Sequence, residues 1–196
     1  MNDTGEQAGE RVRAYLYDAS GTDERVQLDD IDIRKLNESK LLWVTILERD
    51  EQLIQSVTER LNIDRVPLSA IAEKSKRPIL YRFEDFFHFS VNSVKLDEAG
   101  VPEKIPIDFV VGENFVLTVH DGEVDYFQKF RKRERGETQF GELDAESFVA
   151  TLLDLHIVSY FHVLDSIETR SQNVHKVVVR KGALTAISYQ VQVGAP

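Results

Sequence analysis

The second half of the chain contains one long stretch in which apolar residues recur every three or four positions. This spacing begins near Asp144 and continues to Val174, and it is typical of an amphipathic α-helix. A helix over residues 144–175 would be about 48 Å long at 1.5 Å per residue. That is longer than a small domain needs, and helices of this length usually pack against partner helices. The pattern therefore predicts a helical extension attached to a preceding domain.

The residues before this helix alternate between strand-like and helix-like segments. Runs rich in aromatic and β-branched residues predict strands at 12–17, 25–28, 41–47, 79–96, 105–111 and 114–120. Amphipathic spacing and suitable ends predict helices at 50–61, 67–74 and 124–135. We therefore expect a mixed sheet accompanied by helices.

These patterns divide the chain into four parts. Residues 1–11 are predicted to be a flexible lead-in, 12–143 an α/β domain, and 144–182 the long helical segment. In 183–196, apolar and polar residues alternate around Ile187 to Val193. Period two indicates either a strand or a tail without stable structure, and the sequence leaves both possibilities open.

Composition excludes several classes of protein. Asp and Glu outnumber Lys and Arg by 34 to 24, which gives a formal charge of −10 and disfavours nucleic acid or an anionic membrane as the main partner. The chain has no cysteine, so it forms no disulfide, thiolate nucleophile or iron–sulfur site. No stretch reaches the roughly 18 to 20 uncharged apolar residues of a membrane span, and we expect a soluble chain.

Motifs that carry chemistry are missing from the sequence. The five histidines are dispersed, and neither a His-Glu-x-x-His pair nor a glycine-rich phosphate loop occurs. Asp121, Glu123 and Asp125 alternate as in a calcium loop, but the rest of that pattern is absent, which favours a turn that leads into a helix. We therefore expect a regulatory or assembly role without catalytic activity, since an enzyme would need an unrecognised carboxylate site.

The order of several short segments resembles that of a known family. These segments are WVTI at 43–46, KRP at 76–78, YRFEDFF at 81–87, DFVVGENFVLTVH at 108–120 and YFHVLDSIE at 160–168. Together they resemble the cytoplasmic N-terminal domain of the CorA family of divalent-cation transporters, over about residues 12–180. The resemblance implies an α/β/α layered domain with a central mixed β-sheet, followed by the long helix of a helical extension.

The same resemblance implies a function and partners. Members form homopentamers that move Mg²⁺, Co²⁺ or, in the ZntB branch, Zn²⁺, and this domain lies on the cytoplasmic side of the plasma membrane. Divalent ions bound between the cytoplasmic domains of neighbouring subunits hold the closed state. A hard cation between acidic surfaces cancels their mutual repulsion. We expect Mg²⁺ or another divalent cation as ligand, no nucleic acid, and membrane contact only through C-terminal segments that this sequence lacks.

The sequence departs from the family at positions that matter for metal binding. It ends at Pro196, before the stalk and the Gly-Met-Asn pore motif, so this chain is not expected to transport ions alone. Ser69 and Ala70 stand where the family has an acidic pair, and 158–159 is Val-Ser where a second acidic pair is expected. Asp154 is the one family metal position that is retained, and a carboxylate on the helix surface, or one tied to a neighbouring strand, is the more ordinary explanation of it. We therefore expect weak Mg²⁺ binding.

The sequence thus predicts the cytoplasmic regulatory domain of a CorA-like divalent metal-ion transporter, without its transmembrane pore. The alternative is a stand-alone metal-binding or protein-interaction module with the same fold. The coding sequence downstream of Pro196 distinguishes the two, because a transporter requires two further apolar spans of about 20 residues.

Overall fold

The computed structural model describes residues 11–19, 23–63, 67–73, 77–133 and 144–193, with backbone alone for 132–133 and 173–193. Within these residues it has seven strands, four α-helices and two single 3-10 turns. The strands are β1 (Val12–Asp18), β2 (Glu24–Val26), β3 (Lys40–Ile46), β4 (Leu80–Arg82), β5 (Phe86–Leu96), β6 (Pro102–Gly112) and β7 (Phe115–His120). The helices are α1 (Glu51–Arg60), α2 (Leu68–Ala72), α3 (Asp125–Arg133) and α4 (Ala145–Val193).

All seven strands belong to one mixed sheet, in the order β2-β1-β3-β7-β6-β5-β4. The neighbours β3 and β7 are parallel, and their register pairs Val44 with Leu117. The other neighbouring strands described are antiparallel, including the long pair of β5 and β6. β3 is covered on both faces, which explains its nearly unbroken apolar sequence.

Side chains that alternate along the strands build one apolar core on each face of the sheet. On one face, Trp43 and Phe109 pack with Phe127 of α3 and Phe148 of α4. On the other face, Val44, Val110 and Leu117 pack with side chains of α1 and α2. The fold is therefore the expected α/β/α arrangement with a central mixed sheet, followed by a long helix.

Local signals in the sequence explain where the first helix begins and what it buries. Asp50 precedes α1, and its carboxylate accepts a hydrogen bond of 2.8 Å from the backbone N–H of Leu53. Ile54 and Val57 lie on the buried face of α1. The chain leaves the helix through Asn62, whose φ of 53° lies in the left-handed region that asparagine tolerates.

The first half of α4 lies along β5. The Tyr160 hydroxyl donates a hydrogen bond to the carbonyl of Asn92, and the Arg170 guanidinium donates one of 3.0 Å to the carbonyl of Ala99, just beyond the strand. Residues 145–170 of a helix rise about 38 Å, and β5, Phe86–Leu96, spans about 33 Å. The two elements therefore run side by side over this length.

The structure corrects the prediction for the end of the chain. A strand or an unstructured tail was expected from residue 183, but α4 continues without a break through Gly182 to Val193. The alternation around Ile187 concealed a second spacing, because Leu184, Ile187 and Val191 also recur at helical intervals. Adding residues to an existing helix avoids the cost of nucleation, so this weaker pattern prevails.

Smaller differences concern boundaries. The predicted strand at 79–96 is two antiparallel strands, β4 and β5, and β6 begins at Pro102, earlier than expected. Except for residue 11, the predicted flexible lead-in lies outside the described residues, as do residue 74 and residues 134–135 of two predicted helices.

Candidate functional site

An apolar groove lies between α4 and the sheet edge formed by β4 and β5. We call it the α4 groove, and its volume is about 390 Å³. The side chains that line it and carry the argument below are those of Pro78, Val91, Ile157, Tyr160, Phe161 and Leu164. Ile157, Phe161 and Leu164 are 52%, 60% and 56% exposed. Exposed apolar side chains that adjoin one another are typical of interaction surfaces.

The helix that forms the groove resembles a membrane-spanning helix in length and in apolar composition. By length and composition alone, Ala145–Gln172 could cross a membrane. The sequence showed no uncharged stretch of this length, because Asp154 interrupts the apolar residues of α4. Phe148 and Leu152 in the first turns are fully buried against the sheet, so this end of α4 belongs to the core of the domain.

Asp154 lies on an exposed position of α4, two residues after the buried Leu152. Across the described ranges, no group of three His, Asp or Glu side chains could hold a metal ion. The role of Asp154 as a metal ligand remains a prediction.

Ser69 and Ala70, where the resemblance led us to expect an acidic pair, lie on the other side of the sheet from Asp154 within one copy. Ser69 and Ala70 lie in α2, whose Ile71 packs into the core on the α1 face of the sheet. Asp154 belongs to the helix on the opposite face. Because the sheet separates the two helices, only a neighbouring copy could bring these positions together.

Carboxylates gather around a cavity of about 510 Å³ at one end of the sheet. They come from the β4–β5 turn, the β6–β7 turn and the start of α4, and they are Glu84, Asp85, Glu113, Asp144 and Glu146. Asp144 accepts a 2.7 Å hydrogen bond from the backbone N–H of Ser147, which lowers the pKa of the Asp144 carboxyl. Asp144 thus caps a helix, and the cavity adds to the negative field of the domain.

The sequence alone does not reveal this acidic cavity, because its residues come from three separate segments that only the fold brings together. The adjacency of the β4–β5 and β6–β7 turns follows from the register that pairs Phe86 with Gly112. No signal in the linear sequence gives that register.

A buried ion-pair network joins the ends of the central strands on the α1 face. Arg49 follows β3, and its guanidinium lies 2.6 Å from the Asp108 carboxylate, which also accepts a 2.8 Å hydrogen bond from His88 Nε2. Arg49 donates further bonds to the backbone carbonyls of Pro106 and Val119, at 2.8 and 3.1 Å. His88 is thus a structural polar group, buried between β5 and β6.

A second buried network, on the α3 face, determines which ring nitrogen of His120 carries the proton. Trp43 Nε1 donates to the Thr118 hydroxyl at 3.1 Å, the Thr118 and Thr45 hydroxyls are 2.7 Å apart, and Thr45 lies 3.1 Å from His120 Nε2. His120 Nδ1 donates to the Gly122 carbonyl at 2.7 Å. Each hydroxyl can donate once along this chain if His120 Nε2 is unprotonated. Burial lowers the pKa of His120 to about 4, in agreement with a neutral ring.

The three alternating carboxylates after β7 serve different partners. Asp121 accepts a hydrogen bond from the backbone N–H of Arg49 at 3.2 Å. Glu123 forms ion pairs with Arg13 and Arg131 at 2.6 and 3.6 Å, while Asp125 is the first residue of α3. The structure therefore has a turn that leads into a helix here, as the sequence favoured.

Comparison with protein families gives one match over most of the chain. The model of the family described as CorA-like Mg²⁺ transporter protein matches residues 38–189. A search of curated proteins gives no match.

Several solved structures share this fold. Full-length CmaX has a TM-score of 0.67 at 15% identity, over 88% of this chain and 53% of CmaX. The soluble domain of CorA from Methanocaldococcus jannaschii has a TM-score of 0.69 at 13% identity, over 85% of this chain and 64% of that one. The ZntB cytoplasmic domain from Vibrio parahaemolyticus RIMD 2210633 has a TM-score of 0.61 at 14% identity, over 82% and 64%.

The chain spans about half the length of the full-length proteins that it matches. At these identities the structural likeness establishes the fold, and the family match establishes the relationship. Because that match covers well over half of its residues, the chain belongs to the CorA-like Mg²⁺ transporter family.

Proposed function

We propose that this chain is the cytoplasmic regulatory domain of a CorA-like divalent metal-ion transporter and has no catalytic activity of its own. The observation that carries the proposal is α4, which starts in the core of the domain and continues for 49 residues, about 74 Å. A helix of this length transmits displacement between the sheet and distant parts of an assembly. In a transporter those distant parts would be the pore helices within the membrane.

We propose further that the parent protein is a homo-oligomer, with five subunits, and that divalent cations act between its subunits. The formal charge of −10 means that neighbouring copies repel each other unless cations lie between them. Asp154 is the proposed contribution of α4 to such a site. Binding is expected to be weak, since Ser69 and Ala70 supply no carboxylate from α2.

The alternative function, a stand-alone metal-binding or protein-interaction module, is supported by the α4 groove. An interaction module requires an uncovered apolar surface, and Phe161 and Leu164 provide one. The alternative requires no pore.

The coding sequence that follows Pro196 tests the transporter proposal. We expect two apolar segments of about 20 residues each, with Gly-Met-Asn after the first. A stop codon directly after Pro196 would contradict the proposal and leave the interaction module as the better account.

A further inference from the structure

A further cavity lies on the α3 face of the sheet, where the first turn of α3, the middle of α4 and the C-terminal part of β5 meet. We call it the α3 cavity, and its volume is about 330 Å³. That volume is at the lower end of the range for small-molecule sites, roughly 300–1,000 Å³. No residue that lines it also lines the α4 groove or the acidic cavity. The α3 cavity is therefore a separate feature of the fold.

The first turn of α3 lines this cavity and carries backbone donors without partners. Val124 precedes the helix, and its carbonyl accepts hydrogen bonds from the N–H groups of Phe127 and Gln128, at 3.0 and 3.2 Å. Its apolar side chain has no oxygen that could accept from the first turn. Within the described residues, the N–H groups of Asp125 and Tyr126 therefore have no partner. Free N–H groups and the positive end of the helix dipole together attract anions.

A buried serine gives an independent indication of a polar ligand. Ser93 of β5 lines the same cavity and is 4% exposed. Alternation along the strand places its side chain on the same face as those of Phe89 and Val91, which pack against the core beneath α3 and α4. The Ser93 hydroxyl makes no hydrogen bond with any other described residue. Because a buried hydroxyl without a partner costs free energy, this one is suited to meet a polar group that enters the cavity.

Two lysines bring positive charge to these donors. Lys129 lines the cavity four residues after Asp125, about one turn along α3, and forms no ion pair in the part of the chain that the structure describes. Lys95 follows Ser93 by two residues, so it lies on the same face of β5, and it pairs with Glu103 at 3.2 Å. Lysine ammonium groups are common partners of phosphate in proteins.

Two carboxylates also line the cavity, and one of them is neutralised. Glu123 pairs with Arg13 at 2.6 Å and with Arg131 at 3.6 Å. Asp125 is exposed and has no ion pair among the described residues. With these ion-pair partners included, four cations stand against three carboxylates around the cavity. The surroundings of the α3 cavity are thus locally positive, although the chain has a formal charge of −10.

We propose that the α3 cavity binds a phosphate group, either free or carried by a small molecule. The N–H groups of Asp125 and Tyr126 and the hydroxyl of Ser93 donate to its oxygens. The Lys129 ammonium supplies the counter-charge. Three fixed donors match the three terminal oxygens of a phosphate ester better than the two oxygens of a carboxylate. Such a site does not depend on the transporter proposal, because only α3, α4 and β5 form it.

Titration with inorganic phosphate at constant ionic strength tests the site, with the backbone amide signals of the natural chain followed by NMR. The amide signals of Asp125 and Tyr126 are expected to shift most and to saturate, while chloride at the same ionic strength leaves them in place. Equal shifts with chloride, or shifts spread over the surface without saturation, would overturn the proposal.

Substitutions at the donors test which groups hold the phosphate. Lys129→Gln and Ser93→Ala each remove one partner and are expected to raise the dissociation constant about tenfold, whereas Asp125→Asn removes a carboxylate and should lower it. Lys104→Gln is the matched control, because Lys104 is also exposed and lies outside the cavity. Equal weakening by Lys129→Gln and Lys104→Gln, or unchanged binding by Ser93→Ala, would refute the assignment.

Glycerol phosphate distinguishes the two sources of the group. Tighter binding of this ester than of inorganic phosphate supports a phosphorylated small molecule as the ligand, since the rest of the molecule also contacts the cavity. Equal affinities support free phosphate. If neither compound shifts the amide signals of Asp125 and Tyr126, the α3 cavity is not a phosphate site.

Discussion

Arg49 and Asp108 form a buried ion pair in which the guanidinium and carboxylate are 2.6 Å apart, and the two side chains are 3% and 0% exposed. They join the end of β3 to β6, and His88 Nε2 completes the pair from β5 at 2.8 Å. The C-terminal ends of the parallel strands β3 and β7 meet at this ion pair, next to α1. The pair therefore holds these strand ends in place on the α1 face of the sheet.

Asp108→Asn is expected to lower the free energy of unfolding by about 3–5 kcal/mol, because it leaves the Arg49 charge buried without a counter-charge. Urea unfolding measures this change. The matched control is Glu103→Gln, which breaks the exposed pair of Glu103 with Lys95 at 3.2 Å and should cost less than about 1 kcal/mol. Equal effects of the two substitutions would show that the buried pair contributes no more to the free energy of unfolding than the exposed pair.

Gly100→Ala is expected to loosen the contact between α4 and the β5–β6 loop. Gly100 has φ of 76°, and a Cβ there would overlap the Arg170 guanidinium, so Arg170 must move away from Ala99. Gly122→Ala is the control, since Gly122 has φ of 68° with nothing within 4 Å of an added Cβ.

Both glycine substitutions should cost about 1–2 kcal/mol for the left-handed backbone, and Gly100→Ala should cost more in thermal unfolding. In an Arg170→Ala background this excess should disappear. If Gly100→Ala and Gly122→Ala cost the same in the natural chain, the contact with Arg170 contributes nothing to stability.

Stability is expected to fall as the pH decreases from about 6.5 to about 4, and His120 is one cause. Its pKa is lowered to about 4 in the folded chain, while the unfolded value is about 6.5. In this range the unfolded state binds a proton that the folded state does not, so acid favours unfolding by up to about 3 kcal/mol. Burial also lowers the pKa of His156, which adds a slope in the same direction.

His120→Gln should therefore reduce, and not abolish, the loss of stability between pH 6.5 and 4. Denaturant midpoints at several pH values measure it, with His162→Gln at an exposed position of α4 as the control. An unchanged pH slope in His120→Gln would mean that His120 titrates alike in both states.

Phe148→Ala is expected to cost about 3–5 kcal/mol, the usual range for a buried Phe. Phe148 is fully buried, and its ring centroid lies 5.5 Å from that of Trp43, the single tryptophan of the chain. Loss of this ring should also shift the fluorescence of Trp43 to longer wavelength as water enters. Phe161→Ala removes an equal side chain that is 60% exposed and should change neither signal. A Phe148→Ala variant with unchanged stability and unshifted fluorescence would show that α4 does not shield Trp43 from water.

Local patterns sufficed for most individual elements. The apolar run of β3 and the capping signal at Asp50 each act within a few residues, so the sequence reveals them directly. Such local patterns do not predict the parallel pairing of β3 with β7 or the end of α4. Pairing depends on contacts across some 70 residues of chain, as in Val44 with Leu117, and residues 183–193 satisfy both a strand and a helix pattern.

The candidate site was harder to predict, for a related reason. Asp154 was found through a family resemblance, which gives a position and no environment. The α4 groove combines Ile157 and Phe161, which the helical pattern revealed, with Pro78 and Val91, which only the fold brings beside them. A shared metal site also depends on the distance between copies, which a single sequence does not encode in any local pattern.

Thermal unfolding of the chain in the presence of Mg²⁺, Co²⁺, Zn²⁺ and Ni²⁺ tests most directly the claim that divalent cations act on this domain. An ion that binds only the folded state must raise its apparent stability. We predict a small rise in the unfolding midpoint that requires millimolar Mg²⁺, disappears in Asp154→Asn and persists in Asp165→Asn, an exposed control on the same helix. No rise with any of the four ions, a rise that survives Asp154→Asn, or saturation at micromolar Mg²⁺ would contradict the account.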